Sequence, residues 1–302
     1  MTMSRLAVYT TWYPGVERFL PEWSRSLRDQ TDRNFDLWVG VDGLDFRKAA
    51  EPLGTPSGTR WVVAEPGATP ARVRERALSR IVQEYPAVVF VDSDDLLMPS
   101  RVAAARAALE KHDVVGCALK IVDEEGKDLG ARFGPPAGAE WAELLPRHNV
   151  FGLSNSAYRS DVLRQLLPLP EDCILIDWLF ATRAWAQGHN LFFDEVPGMS
   201  YRQYGTNVAK VLPPFFEEGV VRATECVAGH YRLVLDNPLR RLGPVPRARL
   251  EAAHARFTIF EKFLAASPDG RRQYLEALNG LTPRYVWWWA VANSELEHLW
   301  MN

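Results

Sequence analysis

A chain of 302 residues with 47% hydrophobic and 24% charged residues has the make-up of a globular protein that buries one main core and carries a smaller appended unit. A formal charge of −3, with no dense Lys/Arg run, excludes a general electrostatic attraction to nucleic acid and leaves a small molecule or a glycan as the expected partner. Cys117, Cys173 and Cys226 are odd in number and widely spaced, which excludes a disulfide framework or a thiolate zinc site and fits a reducing cytoplasm.

Residues 6–10 (Leu-Ala-Val-Tyr-Thr) read as a first buried strand, too short and too soon broken by Thr11 and Pro14 to be the apolar segment of a signal peptide. A helix follows, with Phe19, Leu20, Trp23 and Leu27 at helical spacing. Second and third strands are expected at 35–41, ending at Asp42-Gly43, and at 60–64, ending near Pro66-Gly67. A helix over about 70–84 leads to Ala87-Val88-Val89-Phe90-Val91, a continuous apolar run that suits a central strand covered on both faces. That run ends in Asp92-Ser93-Asp94-Asp95. The alternation predicts an open α/β sheet of mostly parallel order flanked by helices, with ligands beyond the carboxyl ends of its strands. Thr10, Asp42 and residues 92–95 then share one edge.

Further on, 114–122 reads as a strand turned into a hairpin by Asp123-Glu124-Glu125-Gly126, and 177–187 as a helix stopped by Gly188. From Pro213 the chain is mainly helical, with breaks at Pro238, Pro244 and Pro246 and at Ser267-Pro268-Asp269-Gly270. The expected organisation is a main domain over 1–212 and a helical extension over 213–302. No run of eighteen apolar residues predicts a membrane-spanning helix. The aromatic segment Tyr285-Val286-Trp287-Trp288-Trp289-Ala290, with Trp300, is expected to pack a C-terminal helix or, next, to form a homodimer contact through that region; Glu295 and Glu297 argue against membrane docking.

Three carboxylates within four residues repel one another, and a strand end tolerates them when a cation or polar ligand compensates. An oxygen-rich acidic set suits Mn²⁺ or Mg²⁺, which in turn holds a diphosphate. The plain alternative is a loop in which one Asp caps a helix beginning near Pro99.

The stretch Val91-Asp92-Ser93-Asp94-Asp95-Leu96-Leu97-Met98-Pro99 resembles the nucleotide-sugar motif of the family 2 glycosyltransferases of GT-A fold. Ser26-Leu27-Arg28-Asp29-Gln30-Thr31 and the strand ending at Asp42 are similar to that family's helix and second strand, Ile176-Asp177-Trp178 to the segment bearing its catalytic carboxylate, and Tyr201-Arg202-Gln203-Tyr204 with Asn207 to a loop that closes its site. The resemblance covers about residues 5–210 and implies a GT-A, Rossmann-like sheet and inverting transfer of a sugar from a nucleotide-diphosphate donor to a saccharide or other hydroxyl-bearing acceptor. By position it implies Asp177 as general base and Asp42 at the nucleobase. Thr10, Asp92 and Ser93 would lie on the donor, with Arg74 and Arg202 at its phosphates and Asp94 and Asp95 at the metal. Asp177 also reads as a helix N-cap, Arg74 stands beside the equally eligible Arg72 and Arg76, and Asn155 lies where an acceptor contact is expected. Two departures stand out: Val73 and Glu75 flank Arg74 where an Asn is common, and Tyr204 stands where related chains carry a metal-binding His.

A sugar nucleotidyltransferase would need a Gly-rich phosphate loop and an early basic residue, whereas Thr11-Trp12-Tyr13-Pro14-Gly15 offers one glycine and no lysine. A haloacid-type phosphatase would carry its paired aspartates on the first strand. The alternative of another class is a non-catalytic nucleotide- or glycan-binding protein that keeps the fold, which the Tyr204 departure motivates.

Overall fold

The computed structural model describes residues 3–301 apart from 57, 206, 208 and 237–241, so the expected break at Pro238 lies outside the described residues. The described residues form a nine-stranded sheet of β1 (Leu6–Trp12), β2 (Phe35–Val41), β3 (Arg60–Val63), β4 (Ala87–Phe90), β5 (Leu96–Leu97), β6 (Val114–Val122), β7 (Asp128–Phe133), β8 (Ser156–Arg159) and β9 (Leu191–Arg202). Around it lie α1 (Leu20–Arg28), α2 (Phe46–Ala50), α3 (Pro70–Glu84), α4 (Arg101–Leu109), α5 (Trp141–Leu144), α6 (Ser160–Leu166) and α7 (Ile176–Ala186). The C-terminal part holds α8 (Glu217–Leu235), α9 (Pro244–Ala266), α10 (Pro268–Gly280) and the short α11 (Glu297–Trp300).

The strand order is β3-β2-β1-β4-β8-β6-β9-β5, with β7 beside β6. The half built from β3, β2, β1 and β4 is parallel throughout, as strand–helix alternation requires. The other half is mixed: β8 runs antiparallel to both β4 and β6, while β6 and β9 are parallel. β4 therefore sits in the middle, every residue buried, which is why its sequence is apolar without alternation.

Strand β1 extends two residues beyond the expected end at Thr10, closing against β2 through Trp12 and Val41. Alternation puts Thr10 on the same face as Trp12, whose ring meets Trp23 of α1 edge-on at 6.1 Å. Thr10 is thus buried in the packed layer under α1, and the placement at a donor edge is corrected by this two-residue extension.

Helix α3 opens with Thr69 as its N-cap and Pro70 in its first turn, and α10 opens the same way with Ser267 and Pro268. Asp92 to Asp95 cap nothing: α4 begins at Arg101 behind Ser100, so the capping alternative for the acidic run falls. Fully buried Gln30 ties this region together, donating to the Met98 carbonyl at 2.8 Å and accepting from the Val102 N–H at 3.1 Å.

The aromatic segment near the C-terminus is not helical. Between α10 and α11, Trp287 forms an isolated antiparallel bridge with Asn149, and Trp288 and Ala292 take left-handed backbone angles with φ of 70° and 47°. Trp287, Trp288, Trp289 and Trp300 are all buried in the one apolar core that also contains β1 and β4, so these rings are not at the surface for a dimer contact or a membrane. No described helix is long and apolar enough to cross a membrane.

Candidate active site

Leaving β4, Val91 still bonds to β1, its N–H donating to the Tyr9 carbonyl at 3.1 Å. The next four residues turn away from the sheet, with the Asp95 N–H reaching the Asp92 carbonyl. Four side chains in sequence then take different roles. Ser93 points inward and its hydroxyl donates to the Thr11 carbonyl at 2.6 Å, locking the loop to β1. Asp95 is 1% exposed, with Oδ1 accepting from the Arg202 N–H at 2.8 Å and Oδ2 accepting from the Ser154 hydroxyl. The assignments of Ser93 to the donor and Asp95 to a metal are therefore corrected: both spend their polar atoms on internal anchors.

Arg202 requires the same correction. It is 1% exposed at the end of β9, which pairs with β5 and so brings it behind the acidic loop. Its Nε donates to the Asp94 carbonyl at 2.9 Å, one terminal nitrogen to the Glu124 carbonyl and the other to Glu22 Oε2 at 2.8 Å, and the guanidinium lies 4.7 Å from the Phe19 ring centre. It holds the loop's shape and has no face turned to a diphosphate. Arg202→Ala is accordingly expected to lower unfolding free energy by about 2–3 kcal/mol, since it orphans the buried Asp94 carbonyl and removes charged-donor bonds to the Glu124 carbonyl and to half-exposed Glu22. Urea unfolding checks this, and a variant as stable as wild type but weak in nucleotide binding would restore the phosphate role.

That leaves Asp92, which keeps part of its surface open, and Asp94, which is 9% exposed. Asp94 Oδ2 accepts from the Tyr204 hydroxyl at 2.6 Å, and Tyr204 meets the Tyr13 hydroxyl at 3.4 Å. Burial, and then the charge of Asp94, push both tyrosine hydroxyls up, so they stay protonated donors. Burial pushes the Asp92 carboxyl up to about 7, reinforced by Asp94 and opposed by Arg74. Asp42 follows β2 directly, its N–H bonded to the Trp12 carbonyl at 2.9 Å, which sets it at the same sheet edge.

The three arginines of α3 separate by direction. Arg76 pairs with exposed Glu65 and Arg72 faces exposed Glu171, whereas the charge of Arg74 acts on Asp92 and Asp177. Arg74 is partly buried, anchored by a bond to the Pro70 carbonyl at 3.1 Å, and its Nε has no hydrogen-bond partner among the described residues. Glu75, where an Asn was the common choice, accepts from the Leu169 N–H and ties α3 to the segment before α7.

Asp177 lies in the first turn of α7, which starts one residue earlier than expected with Leu175 at the cap position. It is set deep yet keeps part of its surface open. Oδ1 accepts from the Trp178 N–H at 2.8 Å and Oδ2 from Asn149 Nδ2 at 3.0 Å. Burial raises its carboxyl to about 6, against the lowering effect of the Trp178 N–H, Arg74 and Asn149. Asn149 and Tyr13 are polar residues of this site that sequence reading missed: neither sits in a motif, and only the folded chain brings them to the carboxylates. Asn155 is no acceptor contact, being fully buried and bonded to Gly152, Cys117 and Val150.

Among the described residues no three His, Cys, Asp or Glu side chains converge as a metal cage. Asp94 alone, beside Asp92, fits the one-carboxylate arrangement in which a hard divalent ion takes most of its oxygens from phosphate and water. No family model and no curated protein matches the sequence. Solved structures do. The chain resembles S. aureus TarS residues 1–349 with a TM-score of 0.62 at 18% identity, over 91% of this chain and 79% of that one. It resembles the same protein in complex with UDP-GlcNAc with a TM-score of 0.55 at 16% identity, over 90% of each chain. It also resembles the mannosyltransferase PcManGT from Pyrobaculum calidifontis, in complex with GDP-Man and Mn²⁺, with a TM-score of 0.53 at 16% identity, over 91% of this chain and 79% of that one. The chain has the α/β fold of the GT-A glycosyltransferases, completed by a largely helical C-terminal part.

Proposed function

We propose that this protein is an inverting glycosyltransferase that moves a sugar from a nucleotide-diphosphate donor to a saccharide or other hydroxyl-bearing acceptor. The observation that carries the reading is the convergence of Asp92, Asp94, Arg74 and Asp177 at the carboxyl edge of a GT-A sheet. The solved structures of like fold that hold UDP-GlcNAc, or GDP-Man with Mn²⁺, support it.

Asp94 would hold Mn²⁺ or Mg²⁺ together with the diphosphate, an ion that would supply positive charge to offset the charge building on the leaving group. Arg74, whose Nε lacks a partner among the described residues, pairs with phosphate oxygens, while Asp42 and Asp92 bind the base and ribose side of the donor. Asp177 accepts the acceptor's hydroxyl proton as that oxygen attacks the anomeric carbon and the bond to the diphosphate breaks. Attack from the face opposite the leaving group inverts the anomeric centre.

The competing reading is a nucleotide-binding module without turnover, favoured by the Tyr204 hydroxyl on Asp94. Thermal shift of the wild type with UDP, GDP, dTDP and CDP, each with and without Mn²⁺, followed by release of nucleoside diphosphate from the matching sugar donor, separates the two. We expect one nucleotide to raise the melting midpoint more with Mn²⁺ than without, and its sugar donor to turn over. Stabilisation without turnover on any acceptor would move the protein to the binding class, and no stabilisation by any nucleotide would remove the donor site.

A further inference from the structure

The two oxygens of Asp177 have different anchors. The Trp178 N–H is part of α7 itself, but Asn149 comes from the loop before β8 and is completely buried. Its amide has little freedom. Oδ1 accepts from the Phe151 N–H at 2.9 Å, and Nδ2 reaches the Phe151 carbonyl at 3.3 Å as well as Asp177. This fixes which end of the amide faces the carboxylate: the nitrogen donates, and its partner oxygen is occupied elsewhere.

The backbone of Asn149 is held from the C-terminal segment, where the Trp287 N–H donates to the Asn149 carbonyl at 3.2 Å. Trp287 is wedged in turn. Its ring centre lies 4.1 Å from that of Phe133, its indole N–H reaches the Tyr201 hydroxyl at 3.4 Å, and it covers Gly152 so closely that an added Cβ would come within 2.3 Å of the indole. Trp178 supplies a second tie. Its ring is nearly parallel to His230 of α8 at 4.0 Å and to Trp288 at 6.4 Å. Trp288 is the residue with φ of 70°, a conformation a bulky side chain keeps only where its surroundings enforce it.

We propose that Asn149, clamped by the Trp287 bridge, is a positioning residue for Asp177, and that the segment following α10 is a working part of the catalytic centre. The inference rests on the reading of Asp177 as the base. An amide that donates to one carboxylate oxygen sets the plane of the carboxylate and favours its ionised form, leaving lone pairs for an acceptor hydroxyl. The other groups whose charges couple to Asp177 are Arg74 of α3, Asp92 of the β4 loop, Tyr158 of β8 and Cys173 before α7. Only Arg74 among them carries a positive charge, and it acts through space, whereas Asn149 acts by direct contact.

The test is a carboxyl-carbon NMR titration of ¹³C-aspartate-labelled protein without donor or metal, the Asp177 signal being assigned by its loss in Asp177→Asn. Asn149→Ala is expected to raise the Asp177 midpoint by about one pH unit, as loss of one hydrogen bond to a charged group would. Asn149→Ser, whose hydroxyl is too short to reach, serves the same purpose if the alanine variant does not fold. The same variants are expected to lower kcat for nucleotide release from UDP-GlcNAc or GDP-mannose by about 10- to 100-fold, with donor KM held. An unmoved Asp177 midpoint in a folded variant overturns the proposal. A moved midpoint together with full turnover by Asp177→Asn would instead keep the positioning contact and reject Asp177 as base.

Discussion

Asp177→Asn is expected to lower turnover by about 10²–10⁴-fold while leaving donor affinity nearly unchanged, the range a positioned general base supplies. The asparagine keeps the size of the carboxylate, and its amide oxygen can still accept from one of the two donors, Asn149 or the Trp178 N–H, so the first turn of α7 keeps one of its anchors. What it cannot do is take a proton. The wild-type rate should fall as pH drops through about 6, the value to which burial raises Asp177, because the protonated acid is no longer a base. Stability runs the other way. A carboxyl raised from its ordinary 3.8 to about 6 binds its proton more tightly in the fold than in the unfolded chain, so stability is lost as pH rises through that window. Asp177→Asn removes this penalty and should melt higher than wild type at pH 8. Steady-state kinetics of the two proteins with a thermal melt at pH 8 check both parts, and equal turnover would exclude the base assignment.

The elements were legible in the sequence wherever local periodicity decides them. Residues 114–122 read as a strand and about 70–84 as a helix opening at Pro70, and both form as read, because burial on one or two faces leaves a local trace. The side chains of the acidic run were legible only as a group. Asp92, Ser93, Asp94 and Asp95 look alike as potential ligands, yet Ser93 is committed to β1, and Asp95 to Arg202 of β9 and to Ser154 just before β8. The tie to Arg202 depends on the pairing of β5 with β9, a contact between segments about a hundred residues apart that no local pattern encodes. Arg202 was misread for the same reason: its isolated positive charge suggests phosphate, and only the pairing shows it buried against Glu22 and the loop carbonyls. The tryptophan-rich segment was misread by composition. Its apolar residues suggested a helix, but Trp287 is bridged to Asn149 and Trp288 is held in its left-handed conformation against Trp178, which override a weak local preference.

Asp94→Asn should abolish the Mn²⁺-dependent part of nucleotide stabilisation and, without ligand, raise stability at pH 8 by an amount on the order of 1 kcal/mol, or about 2 °C in melting midpoint. The first effect follows from Asp94 being the carboxylate on which the proposed metal rests, since Asp95 is closed off by Arg202 and Ser154. The second follows from charge. The carboxylate of Asp94 helps push Asp92 up to about 7 and Asp95 well above the usual range. Because these folded values exceed the unfolded one, the cluster takes up protons on folding, and its stability contribution is lost as pH rises through 7. Removing one charge lowers the neighbours' values, so the variant's advantage should be present at pH 8 and shrink as pH falls below 7. Tyr204 does not alter the sign, because its hydroxyl can donate to the asparagine oxygen as it does to Asp94 Oδ2. Melting midpoints at pH 5 and pH 8, with and without nucleotide and Mn²⁺, provide the measurement. A variant that keeps the full Mn²⁺-dependent shift would place the metal elsewhere, and one less stable than wild type at both pH values would mean that the Tyr204–Asp94 contact outweighs the repulsion among the acids. If both effects appear together, the acidic run costs the empty protein stability and the incoming cation and diphosphate relieve that cost, which is the behaviour expected of carboxylates placed for binding.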